Sequence, residues 1–460
     1  MKSPRIPIFL SIFILFLGCS DDNSVDDSLS GENELTSFVL KSESNNTVVN
    51  TEATINGTRV EIFLPSGSAR NQLIPEFEIS EKSTAYVDGV EVTSGSSTLD
   101  LTEAISLDIV AENGTSKQYT INLITDFPSL DVDIESMMRN FNIPGIQLAI
   151  VRNEKLVYTK SFGEADEENS ELVTDASLFR IASVSKPITV IGIFKLADMG
   201  LLDLDDLVFG EGNILGTQYG TTPYAENVEQ ITVRHLLEHT SGWVNSPFDP
   251  MFANLSFSHS ELISDILDNR PLATTPGAEY FYSNFGYCLL GRIIEEVSDL
   301  SYEDFMKENI LGPSGITTMR VGGNLLADRF ANEVKYYDQE NFSAYNMNVT
   351  RMDANGGWIA SATDLVKFLI HVDRNRNKED IVSPEYLDEL YFSFQNWLFY
   401  GSIPGTSAAL SRVNDSFGYA IIANTRTIPI TNILDQMNKV MRDEITSRSG
   451  WPSYDLLEVD

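Results

Sequence analysis

Basic residues, cysteine and long apolar runs are all scarce in this sequence, and each shortage closes off a class of answer. Only 31 Lys and Arg stand against 67 Asp and Glu, a formal net charge of −36 over 460 residues. A surface of that sign repels phosphate backbones and anionic lipid headgroups, which argues against nucleic acid as a partner. The acidity does not identify a substrate, because solvated carboxylates that keep a protein soluble give the same count. The apolar run Ile6 to Leu17 is too short to cross roughly 30 Å of hydrocarbon as a helix. The two cysteines are Cys19 and Cys288. Cys288 lies in the apolar helical run NFGYCLLGRII, where a buried inert thiol is expected rather than a nucleophile. No internal repeat is found.

What is present begins with a leader. Lys2 and Arg5 precede the apolar run, and Gly18 and Cys19 follow it, the pattern of a signal peptide over residues 1–18. The string LFLGC resembles the lipobox of bacterial lipoproteins, which implies cleavage before Cys19 and lipidation of its thiol. No internal disulfide could then form. The implied location is the bacterial cell envelope, lipid-anchored at the outer membrane, in the periplasm or at the surface. Residues 19–33, with SDDNSVDDS at their start, read as an acidic tether. From 34 to 126 the chain alternates with period 2 in VEIFL, YVDGVEV and SLDIVAENGTSKQYTINLI. Asp88-Gly89 and Asn113-Gly114 mark hairpins. A small all-β sandwich is expected, resembling the immunoglobulin-like modules that precede catalytic domains in bacterial surface proteins. Its candidate roles are spacer or glycan-binding module.

From 127 to 460 strands and helices mix. A helix over Leu130 to Phe141 leads into the strands IQLAIVR and KLVYTKSFG, joined by Asn153-Glu154. Helical periodicity follows at Pro187 to Leu202, Val233 to His239, Ser260 to Asn269, Gly286 to Val297 and Tyr302 to Ile310. The strands TSAALSRV and FGYAIIAN flank Asn414-Asp415, and a last helix covers Ile430 to Ser447. Strands at both ends with helices between predict an α/β fold: an antiparallel sheet flanked by helices, plus an all-α subdomain.

Chemistry enters at FRIASVSKPITV. Ser183 and Lys186, three residues apart at a helix start, share one face. A serine hydroxyl needs a base to become nucleophilic, and a partly desolvated lysine can be that base. Free N–H groups at the helix start favour negative charge beside the nucleophile. A bare Ser-x-x-Lys arises by chance in a chain this rich in serine, so its company matters. Tyr282, Ser283 and Asn284 stand just before a helix in PGAEYFYSNFGYCLLGRIIEEVS. Tyr282 can shuttle a proton to a leaving group, and Asn284 can hold a substrate amide. Singly, a buried tyrosine and a helix-capping asparagine would explain them.

Together these segments resemble the family of class C β-lactamases, serine D-alanyl-D-alanine carboxypeptidases and related esterases. The resemblance runs from about Leu130 to Ser447 and keeps the family's order: IPGIQLAIVRNEKLVYTKSFG, LFRIASVSKPIT, LADMGLLDLDDLV, ITVRHLLEHTSG and NGGWIASATDLVKFL. It implies a sheet domain and a helical subdomain with the site in the cleft between them. The family's third element is a strand with Lys, His or Trp followed by Gly, and its counterpart here is Phe399-Tyr400-Gly401-Ser402. Phe399 cannot bind a carboxylate, as Lys or His would. Gly401 permits close backbone approach, so the N–H groups of Ser402 and Ser183 are the candidate oxyanion hole. The string His235-Leu236-Leu237-Glu238-His239 also fits an inverted zinc-protease motif. It ends at once in Thr-Ser-Gly and occupies the family's internal marker, so His239 is assigned to packing at the cleft floor. No cofactor or metal is expected.

The reaction implied is acyl transfer to water through a Ser183 acyl-enzyme, on a small ester, amide or peptide, peptidoglycan-derived ones included. Two alternatives stand beside the esterase-like or atypical peptidase. One is a D-alanyl-D-alanine carboxypeptidase or β-lactamase that recruits Arg412 or Arg351 for the carboxylate. The other is a non-catalytic surface binding module.

Overall fold

A computed structural model describes residues 29–45, 49–339, 343–375 and 377–458. The expected signal peptide, Cys19 and the start of the tether lie outside the described residues. The β-rich segment forms two sheets. One orders Thr51–Glu52, Leu35–Leu40 and Pro75–Ile79; the other orders Thr54–Asn56, Arg59–Phe63, Ser116–Ile124, Ile105–Val110, Thr84–Val87 and Val90–Val92. Val87 pairs with Val90 across Asp88-Gly89, whose φ values of 50° and 77° suit a tight hairpin turn. Val110 pairs with Ser116 around Asn113-Gly114. One pairing carries no local signal: Arg59–Phe63 runs parallel to Ser116–Ile124. Phe38, Val60, Ile62, Leu107 and Ile121 fill the space between the sheets. Phe63 instead joins Phe127 and Trp451 in the core of the following segment.

That segment opens with α1 (Pro128–Phe141), started by proline in its first turn and ended by Asn142 in the left-handed region. Strands β1 (Gly145–Arg152) and β2 (Lys155–Asp166) follow, turned by Asn153 and Glu154 at φ 50° and 62°. Helices α2 (Ser185–Asp198), α3 (Val233–Leu237), α4 (His259–Asn269), α5 (Asn284–Ser298), α6 (Tyr302–Met306) and α7 (Ala362–Leu369) come next. The chain then returns to the sheet with β3 (Trp397–Ile403), β4 (Thr406–Arg412) and β5 (Phe417–Ala423) before α8 (Ile430–Ser447). The sheet orders Glu171–Leu172, β2, β1, β5, β4, β3, so its first and last strands in sequence meet at its centre, Ile146 opposite Ala423. The α1 and α8 helices cover one face around Ile134, Met137 and Met437, while α2 and α7 pack on the other. This is the expected α/β architecture, with α3 to α6 as the helical part.

Local backbone corrects several helix ends. The α2 helix stops at Asp198, not Leu202, because Gly200 turns left-handed at φ 71°, and α3 stops at Leu237 because His239 does so at φ 60°. Beyond Met306 the α6 path widens into a π-helix, Lys307–Leu311. Helix α2 is buried on nearly every side from Ser185 to Ala197, the environment of a central helix rather than a surface one.

Candidate active site

Ser183 lies in the single 3₁₀ turn Ala182–Val184 that feeds directly into α2. Ala182, just before it, holds φ at 47°, a conformation that costs a non-glycine residue about 1 kcal/mol or more. The surroundings hold it there. The Ile181 N–H donates to the Trp358 carbonyl at 3.0 Å. On the other side β3 comes so near that a Cβ added to Gly401 would lie 2.1 Å from the Ile181 carbonyl oxygen. Ser402 follows at this point of closest approach, on the edge strand of the sheet, where alternate N–H groups have no strand partner. Its own hydroxyl is buried without a hydrogen-bond partner.

Lys186 is 4% exposed. Its Nζ lies 2.6 Å from Asn284 Oδ1, 2.7 Å from the Asn355 carbonyl and 3.3 Å from Ser183 Oγ. Burial pulls this amine from 10.5 down to about 7, with the Asp249 carboxylate acting in the opposite direction. A neutral amine has two N–H groups and one lone pair. The two short contacts are both oxygen acceptors and take the N–H groups, so the lone pair is left facing the serine hydroxyl. The Tyr282 hydroxyl donates to Ser183 Oγ at 2.7 Å from the opposite side. Burial raises Tyr282 to about 12, so it is a proton donor at neutral pH. Its ring also lies 4.8 Å from Nζ, and that of Tyr287 5.5 Å away.

The remaining expected residues fall around this triangle. Ser283 caps α5 by accepting from the Gly286 N–H at 2.9 Å, which delivers Asn284 into the cleft from the first position of the helix. Asn284 Oδ1 accepts from Lys186, and its Nδ2 donates one N–H to Asp249 Oδ2 at 2.7 Å. A second N–H and a second lone pair of the carboxamide remain for the substrate amide expected there. His239 sits in the cleft, its ring 4.8 Å from that of Tyr282 and 5.0 Å from that of Tyr287. Its Nδ1 accepts from the Ser283 N–H, and burial lowers it to about 3, which keeps it neutral. His235 accepts the Thr232 N–H inside a capping box. The two imidazoles thus serve separate structural contacts. Cys288 is buried, and burial raises its thiol to about 12, which suits an inert packing group.

A cavity of about 470 Å³ opens on Ser183 and Lys186, walled by Tyr282, Tyr287, Tyr391, Phe394, Leu398, Phe399 and Tyr400. Phe399 packs edge-on to Tyr391 at 4.5 Å and beside Trp397 at 5.1 Å. The two arginines considered for a substrate carboxylate are elsewhere. Arg351 is 2% exposed and donates to the carbonyls of Met251, Ala253, Asn254 and Phe257. Arg412 donates to the Gln395 carbonyl and to Asp415. Their guanidinium groups are taken by backbone carbonyls and, for Arg412, by Asp415, and neither lines the cavity. Asp249, the Asn355 carbonyl, Tyr287 and Tyr391 are the neighbours that the sequence did not single out. Asn355 stands in the NGGW segment read only as a family marker; Asp249 sits in an aperiodic loop with no motif around it.

A family model described as Beta-lactamase matches residues 130–411. Among curated relatives, "Penicillin-binding protein 4*" of Bacillus subtilis is 36% identical over 171 residues, 36% of this chain and 35% of that protein. "Beta-lactamase-like protein 4" of Dictyostelium discoideum is 30% identical over 287 residues, 58% of this chain and 49% of that one. The chain spans between a third and a half of the length of these relatives. Among solved structures, the octameric penicillin-binding protein homologue from Pyrococcus abyssi aligns with a TM-score of 0.56 at 25% identity, covering 69% of this chain and 78% of that one. The D-amino acid amidase from Ochrobactrum anthropi SV3 aligns at 0.58 and 22% identity, over 70% and 99%, a likeness of fold.

Proposed function

We propose a function that proceeds from one premise: the chain belongs to the Beta-lactamase family of serine hydrolases. Within that family the reading supported best is an acyl-enzyme hydrolase for esters or small amides that present an apolar group to the cavity and carry no obligatory carboxylate. The observation that carries it is the triangle of Ser183 Oγ, the desolvated Lys186 amine and the Tyr282 hydroxyl at the floor of an aromatic cavity.

In this reading Lys186 takes the Ser183 proton as Oγ bonds to the substrate carbonyl carbon, and the carbonyl electron pair moves to oxygen. The N–H groups of Ser183 and Ser402 stabilise that oxyanion. Tyr282 gives its proton to the departing oxygen or nitrogen as the old bond breaks, and the Lys186 ammonium restores it. Water then attacks the acyl carbon as Tyr282 takes its proton and passes its own to Lys186; when the Oγ–carbon bond breaks, Lys186 returns a proton to Ser183 Oγ and the acid is released. Each step uses a group held within the cleft. The names of the relatives favour peptide or β-lactam substrates as a second reading, but Phe399 occupies the wall where the resemblance would place a carboxylate-binding cation. Cys19 is proposed to anchor the chain to the cell envelope; Cys19→Ser should release it from the membrane fraction.

Labelling tests the assignment. Fluorophosphonate should mark the wild type and not Ser183→Ala, while fluorescent penicillin should mark neither. Penicillin labelling that Ser183→Ala abolishes would favour the second reading. With no labelling and no turnover of p-nitrophenyl esters or nitrocefin, both enzymatic readings fail and a binding module remains.

A further inference from the structure

An asparagine can present either end of its carboxamide to a neighbour, and at Asn284 the choice decides where the Lys186 lone pair points. We propose that Asp249 is the positioning residue that makes this choice, fixing the Asn284 carboxamide so that its oxygen faces the lysine. The inference rests on the reading of Ser183 and Lys186 as nucleophile and base. A carboxylate only accepts hydrogen bonds, so the group 2.7 Å from Asp249 Oδ2 must be the Asn284 NH₂. The oxygen is thereby turned to Nζ at 2.6 Å. Asp249 is itself fixed, since its Oδ1 accepts the Met251 N–H at 2.9 Å and caps the turn Pro250–Phe252.

The chain of contacts runs Asp249, Asn284, Lys186, Ser183, and only the last two touch the reacting atoms. If the carboxamide turned over, an N–H would face the lysine and capture the lone pair that now faces Ser183. Asp249 also supplies charge. The titratable groups facing Lys186 are Asp249, His239, Tyr282 and Tyr287; burial keeps the histidine and both phenols uncharged near neutrality. The carboxylate is left as the charge that an ammonium at this position meets, and it favours the protonated form.

Asp249→Asn separates the two effects. Its Oδ1 can still cap Met251, but its NH₂ now faces Asn284 and forces the carboxamide to turn over. Turnover of a p-nitrophenyl ester should fall by about 100-fold in kcat with KM within about twofold, the usual scale for losing a general base. The acid limb of the rate of fluorophosphonate labelling should move to lower pH. The double substitution Asp249→Asn/Asn284→Asp restores a donor facing an acceptor and an oxygen facing Lys186. Measured on the plateau above its acid limb, it should regain most of kcat, and that limb should move above wild type because the anion now touches the ammonium. Thermal unfolding of every variant shows which are folded. If Asp249→Asn does not fold, the double variant is read against Asn284→Asp alone, in which two carboxylates oppose each other. The proposal is overturned if Asp249→Asn keeps kcat within twofold and the wild-type acid limb, or if the double variant is no better than either single one. Wild-type turnover in Ser183→Ala would instead sink the underlying assignment of nucleophile and base.

Discussion

Lys186 is held where a charged amine is disfavoured, the condition that its proposed role as base requires. Burial brings it from 10.5 down to about 7, so the free base is populated near neutral pH, against a minute fraction for an exposed lysine. The sign follows directly: protonation below about 7 removes the base, so kcat/KM on an uncharged ester should fall about tenfold per pH unit on the acid side and level above it. A pH–rate profile checks this. Lys186→Arg should lose about 10³-fold at any pH in that range, because a guanidinium does not give up its proton. Phe399→Lys should bring a cation to the cavity wall, and fluorescent penicillin should then label Ser183 where it leaves the wild type unmarked. Ser183, Lys186 and Tyr282 were legible because spacing and order constrain them. The buried roles of Arg351 and Arg412 were not, since a long polar side chain looks the same in sequence whether it reaches solvent or a buried carbonyl.

Two elements meet at Ser183, the 3₁₀ turn before α2 and the edge strand β3, and a glycine sets their separation. Gly401→Ala should push β3 off the turn, because the new methyl would overlap the Ile181 carbonyl. Loss of about 100-fold or more in activity with a folded circular dichroism spectrum is the expected result. Helices α4 and α8 could be placed from their 3.6-residue period because one face of each meets solvent, whereas α5 is buried on every side from Asn284 to Ile294 and was marked by its long apolar run. Their neighbours were harder to end correctly. The stops of α2 and α3 depend on left-handed backbone at Gly200 and His239, which periodicity does not register, and the π-helix after α6 has no pattern of its own. Sheet order was legible only as a class: the turns fixed the hairpins, while the pairing of β1 with β5 depends on the whole fold.

At the scale of the molecule the β-rich segment and the hydrolase segment share a seam. Phe63 from the first packs in the same core as Phe127 and Trp451, and a Cβ on Gly450 would lie 3.1 Å from the Phe63 ring. Trp451 stands edge-on to Phe127 at 5.4 Å and beside Phe417 at 4.9 Å, and Ser453 accepts the Glu52 N–H at 3.0 Å. Trp451→Ala should lower stability by about 3–5 kcal/mol, read as an earlier urea midpoint, with kcat little changed because the cleft lies on the other face of the sheet. The sheet has a consequence for how the chain is born. Strand β1 ends at Arg152, but β5, its partner, begins only at Phe417. A nascent chain must carry β1 with one side unmatched until the whole intervening stretch has been made, a topology that folds slowly and invites wrong partners meanwhile. Phe399 and Gly401 lie on β3, far along the chain from Ser183, so a product truncated before β3 lacks one wall of the cleft.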